Sequence, residues 1–171
     1  EVERLRSLPA VAAEDVRVRD ALVGTGSLQE ANAYLETVTA HTEAGDLFLI
    51  NAQGDTIAAS NWNRPGSFVG QNYAFRPYFQ EAMQTGQGKF YAIGVTTGVP
   101  GYFLSTRIDA GGALGVLVVK LDLRPLEEIW RAANADVALA DENGIVFLSA
   151  RPEWKYRALT QLTPDVLAQL D

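Results

Sequence analysis

Hydrophobic residues recur every three to four positions over the first part of the chain, a spacing that predicts helices. The residues at this spacing are Leu5, Leu8, Val11, Ala12, Val16 and Val18. Gly24-Thr25-Gly26 interrupts the pattern, and Ser27-Leu28-Gln29-Glu30 restarts it with a capping-box sequence. We therefore predict a helical region over residues 1–44, in which a second helix runs to about Glu43 and stops at Gly45.

Beyond residue 45 the pattern changes to short apolar runs separated by turn residues, which predicts β-strands. The predicted strands of this part cover residues 47–51, 56–60, 89–97, 102–109 and 113–122. Ala52 to Asp55 joins the first two strands as a hairpin turn. Pro77 and Gly86 mark the start and the end of a short helix before the third strand.

A helix and a second hairpin follow, and they repeat part of the first pattern. We predict the helix over residues 124–134. The predicted strands at 136–140 and 145–149 flank an Asn143-Gly144 turn. LFLINAQGDTIAAS and VALADENGIVFLSA share one layout, in which a turn with glycine joins two apolar strands. We interpret this likeness as a weak internal repeat and predict an α+β fold with two sheet modules in tandem, the second truncated or minimal.

Composition excludes several functional classes. The 171 residues are 47% hydrophobic, which suits a packed core, and the net charge of −7 argues against nucleic acid as a partner. The chain has no cysteine and one histidine, His41, so disulfides, thiol chemistry and a histidine-rich metal site are excluded. We expect no cofactor and no catalysis in this chain, because the common catalytic and nucleotide-binding motifs are missing from it.

Basic residues concentrate in one part of this acidic chain. Residues 61–108 carry four basic side chains and one acidic side chain, a net charge of +3; these are Arg64, Arg76, Lys89, Arg107 and Glu81. A locally positive field favours a small anionic ligand. Chance clustering explains the count equally well, so this pattern alone does not decide.

Lys120 lies within the apolar strand GVLVVKLDL. Strand alternation places it on one face with Val116 and Val118, and the other face is apolar too, so we expect the strand to be covered on both sides. Burying an ammonium group is costly unless an anion meets it, which favours a ligand role for Lys120. The alternatives are a pair with Asp122 or a side chain that reaches solvent.

Arg76 stands among four aromatic residues in the run NYAFRPYFQ. It falls at the predicted start of the short helix, where free N–H groups favour anions, and its guanidinium offers two parallel donors to a carboxylate. The alternative is an exposed arginine stacked on Phe75. Thr96 and Thr97 end the predicted strand at 89–97, and their hydroxyls suit carboxylate oxygens, although threonine is ordinary at strand ends.

These residues carry a family resemblance. IAASNWNRPGSFVGQNYAFRPYFQEAM, FYAIGVTTGVPGYFLS and GVLVVKLDLRPLEEIW resemble, in order and spacing, the sensor region of C4-dicarboxylate sensor histidine kinases. The tail ADENGIVFLSARPEWKYRAL resembles the start of their membrane-proximal module. The likeness covers roughly residues 30 to 160.

The resemblance implies a fold and a function. The implied fold is a periplasmic double-Cache domain, with two PAS-like sheets stacked on a long N-terminal helix and held between two membrane helices that this chain lacks. It divides the chain into a helical stalk at 1–44, a membrane-distal ligand-binding module at 45–123, and a linker helix with a partial membrane-proximal module at 124–171. The implied function is detection of succinate, malate or fumarate to control a cytoplasmic histidine kinase and the transcription of dicarboxylate transport genes.

The resemblance also implies site residues and partners. The implied ligand contacts are Tyr73, Arg76, Thr96, Thr97 and Lys120, with Ser105 as a further contact and Tyr78, Tyr91 and Tyr102 along the wall. We expect a homodimer through the N-terminal helix, and a full-length protein whose kinase domain lies outside this chain.

Three other functions stay open at this point. The first is a Cache-type sensor or chemoreceptor ectodomain for another small anion or an amino acid, in which Asp122 would have to meet the ammonium group. The second is a structural dimerisation module that binds no ligand. The third is an enzyme, which would need a nucleophile and base that the sequence does not show.

Overall fold

The structure, a computed structural model, describes residues 5, 7–42, 45–93, 96, 100–140 and 144–159. It divides into two units, Glu1–Asp122 and Leu123–Asp171. The elements of the first unit are helices α1 (Leu8–Ala13), α2 (Val16–Val23), α3 (Leu28–Thr42) and α4 (Pro77–Thr85), and strands β1 (Asp46–Asn51), β2 (Thr56–Ala59), β3 (Gln87–Ile93), β4 (Pro100–Asp109) and β5 (Ala113–Asp122).

The N-terminal helices stop at Gly24, as predicted. Gly24 adopts φ 76° and its N–H donates to the carbonyl of Asp20, which ends α2. The structure adds a break at Glu14 and Asp15 that the hydrophobic spacing does not predict. Asp15 caps α2, because its carboxylate accepts a hydrogen bond of 3.0 Å from the backbone N–H of Arg17. Helix α3 is described to Thr42, and its predicted end at Glu43 lies outside the described residues.

One antiparallel sheet forms the centre of the first unit. Its strand order is β2-β1-β5-β4-β3, so β5 is central. Leu117, Val119 and Leu121 of β5 pack against the helices of the N-terminal region. Val116 and Val118 pack on the opposite face, within a cluster of aromatic residues. The prediction that both faces of this strand are covered is confirmed, and Lys120 falls on the aromatic face.

Helix α4 covers part of the aromatic face and has the predicted limits. Pro77 is its first residue, and Gly86 ends it with φ 95° and an N–H that donates to the carbonyl of Ala82 at 2.8 Å. The backbone carbonyl of Tyr78 accepts a 2.8 Å hydrogen bond from the Ser105 hydroxyl of β4. This bond fixes the first turn of α4 against the sheet.

The second unit holds a helix and a short hairpin. Its elements are α5 (Arg124–Ala132), β6 (Ala138–Ala140), β7 (Val146–Ser149) and a 3-10 turn at Pro152–Trp154. The buried carboxylate of Glu127 accepts hydrogen bonds from the ammonium of Lys155 and the backbone N–H of Ser149, which ties α5 to the hairpin. Residues 141–143 of the predicted turn lie outside the described residues.

Neither a membrane-crossing helix nor a metal-binding cluster is found among the described residues. No helix among them has the length and apolar character that a membrane crossing requires. No group of three or more histidine, cysteine or acidic side chains among them is placed to hold a metal ion.

Candidate anion-binding site

A small cavity lies on the aromatic face of the first unit, between the sheet and the start of α4. Its lining residues are Phe48, Phe68, Tyr73, Arg76, Tyr78, Thr96, Phe103 and Lys120. Its volume is about 10 Å³, which is space for roughly one water molecule. Five of the nine sequence-predicted site residues therefore line one cavity.

The loop before α4 brings Arg76 to this cavity. Tyr73 donates a backbone hydrogen bond of 2.8 Å to the carbonyl of Gly54, in the turn between β1 and β2. Gly54 has φ 90°, and a Cβ there would lie 2.5 Å from the Cβ of Ala74, so only glycine lets the loop pack this closely on the turn. Arg76 follows as the N-cap residue of α4 and is 9% exposed.

Aromatic rings surround the guanidinium group of Arg76. Its Cζ lies 5.8 Å from the ring centroids of four residues, Phe75, Tyr78, Phe90 and Phe103. Cation–π attraction helps to hold a desolvated cation in such a position. The exposed-arginine alternative is therefore wrong, although Phe75 itself is 59% exposed.

Lys120 reaches the same cavity from β5. It is 5% exposed, and its Nζ lies 5.8 Å from the ring centroid of Phe103 and 6.0 Å from that of Phe68. Phe103 of β4 pairs with Lys120 of β5 in the sheet. Both cations of the cavity therefore lie near one ring, since Cζ of Arg76 and Nζ of Lys120 are each 5.8 Å from the Phe103 centroid. The alternative in which Lys120 extends into solvent is excluded by its burial.

Hydroxyl groups complete the polar lining. The Tyr73 hydroxyl and the Thr96 hydroxyl are hydrogen-bonded at 2.5 Å. Burial raises the pKa of Tyr73, while the Thr96 hydrogen bond and the charge of Arg76 act in the opposite direction. Burial also raises the pKa of Tyr78, again opposed by Arg76. Both tyrosines are therefore protonated at neutral pH and can donate hydrogen bonds to an anion.

The charge of the lining is positive. Arg76 and Lys120 are the charged residues of the lining. The described lining contains no acidic side chain, and Asp122 is therefore not part of it. The wider +3 pattern contributes little, because Arg64 pairs with Asp46 at 2.6 Å and Arg107 pairs with Asp109 at 2.9 Å. The local field therefore depends on the two cations at the cavity.

Three predicted site residues lie elsewhere. Tyr91 and Tyr102 pair with each other across β3 and β4, and alternation along β4 places Tyr102 on the face opposite Phe103. Tyr102 packs against the cluster beneath the N-terminal helices. The Ser105 hydroxyl is used by the Tyr78 carbonyl. The structure does not bring these three residues to the cavity, and Thr97 lies outside the described residues.

We expect Ser105→Ala to lower the free energy of unfolding by about 0.5–1.5 kcal/mol, because it removes the buried hydrogen bond that the Ser105 hydroxyl donates to the Tyr78 carbonyl. Urea unfolding measures this loss, and Thr85→Ala, which removes an exposed hydroxyl from α4, serves as the control. If Ser105→Ala had parental stability but bound succinate more weakly, Ser105 would be assigned to the ligand contacts instead.

Three phenylalanines also line the cavity, and the sequence alone does not predict any of them as a site residue. Phe48 and Phe103 lie on predicted strands, but only the pairing register shows that they share the face of Lys120. Phe68 lies in the loop after β2, where the hydrophobic pattern carries no signal of burial. Its ring packs 4.7 Å from Phe48, centroid to centroid.

A larger groove of about 340 Å³ lies elsewhere on the first unit. Its lining residues are Pro9, Ala10, Glu81, Thr85, Gln87, Gly88, Lys89, Leu104, Ser105 and Thr106. Its charged side chains, Glu81 and Lys89, are exposed, and Glu81 accepts a hydrogen bond from the backbone of Lys89. The smaller cavity is the better candidate site, because a desolvated charge binds an opposite charge far more strongly than an exposed one does.

Comparisons with known proteins support a sensor fold. No family model matches the chain. The C4-dicarboxylate transport sensor protein DctB of Rhizobium meliloti is 39% identical over 172 residues, which cover 99% of this chain and 28% of that protein. The protein of the same name from Pseudomonas aeruginosa is 36% identical over 166 residues, which cover 95% of this chain and 27% of that protein.

A solved structure agrees with these relatives. The crystal structure of the sensor domain of the V. cholerae histidine kinase DctB is 32% identical with a TM-score of 0.89, over 99% of this chain and 67% of that chain. The fold is thus the predicted α+β fold with PAS-like (double-Cache) antiparallel sheet modules. The chain belongs to the family of DctB sensor domains, and it spans little more than a quarter of the length of the two curated relatives.

Proposed function

We propose that the chain is the extracytoplasmic ligand-binding domain of a sensor histidine kinase that detects C4-dicarboxylates. One observation carries the proposal: two buried cations, Arg76 and Lys120, reach one cavity from separate elements. The names of the two curated relatives, both C4-dicarboxylate transport sensors, support it.

The two cations suit a ligand with a carboxylate at each end. Arg76 would bind one carboxylate and Lys120 the other, through charge-assisted hydrogen bonds. The hydroxyls of Tyr73, Tyr78 and Thr96 would donate to the remaining carboxylate oxygens. A monocarboxylate leaves one cation without this contact, and an amino acid brings an ammonium group beside two positive charges, so both are expected to bind more weakly.

Ligand binding would also change the shape of the domain. The cavity holds roughly one water molecule, so a four-carbon dicarboxylate needs the lining to separate. The hydrogen bond between Tyr73 and Thr96 joins two parts of that lining. A ligand that binds the wider cavity more tightly than the narrow one shifts the population towards the wider form, which is the requirement for a signal.

The remaining expectations belong to the whole protein. In this proposal residues 45–123 form the membrane-distal module, residues 124–171 form the linker helix and part of the proximal module, and residues 1–44 form a stalk that mediates homodimerisation. The domain would be tethered in the periplasm by membrane helices outside this chain. The kinase outside it would act as a transferase that controls dicarboxylate transport genes.

A thermal unfolding scan tests the proposed function. Ligand-free protein is heated with succinate, malate, fumarate, acetate or aspartate. A ligand at about 100 times its dissociation constant stabilises by ~2.7 kcal/mol, or roughly 5–10 °C for a chain of this size. We expect this rise with the C4 dicarboxylates and not with acetate or aspartate. A melting temperature that none of the five compounds changes would contradict the proposal.

A further inference from the structure

Gly101 of β4 lies against the side chain of Lys120. A Cβ built on Gly101 would lie 2.8 Å from Cε of Lys120 and 3.0 Å from its Cγ. Gly101 shares a strand face with Phe103, which pairs directly with Lys120, so this contact lies on the face of the sheet that carries the cavity. The lysine stem therefore occupies the space that any side chain at position 101 would take.

We infer that Gly101 is a positioning residue of the anion site, whose missing side chain fixes where the Lys120 ammonium stands and thereby which length of dicarboxylate the site prefers. The inference rests on the proposed function. The rings of Phe68 and Phe103 restrict the position of the Lys120 ammonium on one side. Its Nζ lies 6.0 Å from the ring centroid of Phe68 and 5.8 Å from that of Phe103. The backbone of Gly101 determines how far the aliphatic stem of Lys120 can lie on the other side. These two constraints together set the distance between the Lys120 ammonium and Arg76.

A methyl group at position 101 would act mainly on the lysine. The atoms it meets first belong to the Lys120 side chain, which can shift by rotation of its flexible stem. The next contact is the carbonyl oxygen of Leu121 at 3.1 Å, which requires only a small adjustment of the backbone. Gly101 does not have a positive φ, so alanine adds no left-handed strain there.

The test measures the affinities of malonate, succinate and glutarate by calorimetry, for the parent and for Gly101→Ala. We expect the variant to bind succinate at least about tenfold more weakly, since a small displacement of a binding group has effects of this size. We also expect the ratios among the three affinities to change, because only the end of the ligand that meets Lys120 is affected. A purely structural role would lower all three by one factor and leave these ratios unchanged.

Gly112, between β4 and β5, provides the matched control. A Cβ there would meet no described atom within 4 Å, and its φ is not positive, so Gly112→Ala is expected to keep the parental affinities. Unchanged affinities in Gly101→Ala, or a uniform decrease for all three ligands, would overturn the positioning role alone. A parent that binds none of the three ligands would overturn the proposed function and this inference with it.

A folding defect in Gly101→Ala would be resolved by the double variant Gly101→Ala/Lys120→Ala. Recovery of the folded state in the double variant would show that the added methyl group acts on the lysine, as inferred. A double variant that remains unfolded would place the clash at the Leu121 carbonyl and overturn the inference. Circular dichroism and the melting temperature report the folded state of each variant.

Discussion

Replacing Arg76 with alanine is expected to weaken succinate binding by on the order of 2–5 kcal/mol, which is the usual cost of removing one partner of a buried, hydrogen-bonded charge pair. The guanidinium is 9% exposed among four aromatic rings, so water does not readily replace it as a donor to the ligand. Calorimetric titration of succinate into the parent and the variant measures the difference directly.

Arg64→Ala is the control for Arg76→Ala. It removes the same unit of charge from the same part of the chain, but Arg64 is 56% exposed and paired with Asp46. Surface pairs of this kind contribute little, so we expect the control to bind succinate as the parent does. Equal losses in the two variants would show that the general field of the domain, rather than a contact with Arg76, controls binding.

Replacing Lys120 with methionine is expected to weaken succinate binding by a similar amount, on the order of 2–5 kcal/mol. The same change should leave the free energy of unfolding without ligand unchanged or raise it, because it removes a buried ammonium, which is costly to desolvate, from the cavity that also holds the guanidinium of Arg76. Binding and stability are thus expected to change in opposite directions. Titration with succinate and urea unfolding of the ligand-free protein measure the two effects.

Lys89→Met is the control for Lys120→Met. Lys89 lies on the edge strand β3 of the same sheet, is exposed, and does not line the cavity. We expect it to change neither the affinity for succinate nor the stability by more than about 0.5 kcal/mol. A Lys120→Met protein that unfolds more readily than the parent but binds succinate equally well would assign Lys120 to the fold and remove it from the site.

The sequence predicts the elements of this fold well because their signals are local. Pro77 and Gly86 limit α4 through backbone geometry that each residue carries by itself. The break at Asp15 has a local signal as well, since an aspartate before an apolar helical run is a common N-cap, but the longer hydrophobic spacing masks it.

The site is predictable only in part, because its geometry depends on pairing register. Alternation along one strand correctly gives the face of Lys120, and the helix start correctly gives the place of Arg76. The alignment of β4 and β5 determines which residues of β4 lie beside Lys120. It places Phe103 at the cavity and Tyr102 on the opposite face of the sheet, against the N-terminal helices. Ser105 shares the face of Phe103, yet the carbonyl of Tyr78 uses its hydroxyl, which only the packing of α4 reveals.

In the proposed function, Arg76 and Lys120 each bind one carboxylate of the same ligand. The most direct test compares succinate with butyrate, which has the same carbon number and one carboxylate, in the parent, Arg76→Ala and Lys120→Met. In the parent we expect succinate to bind at least about 100-fold more tightly, and in each variant we expect most of this preference to disappear, because the second carboxylate then has no cation to meet. If Arg76→Ala and Lys120→Met each kept the parental preference for succinate over butyrate, the assignment of one carboxylate to each cation would be contradicted.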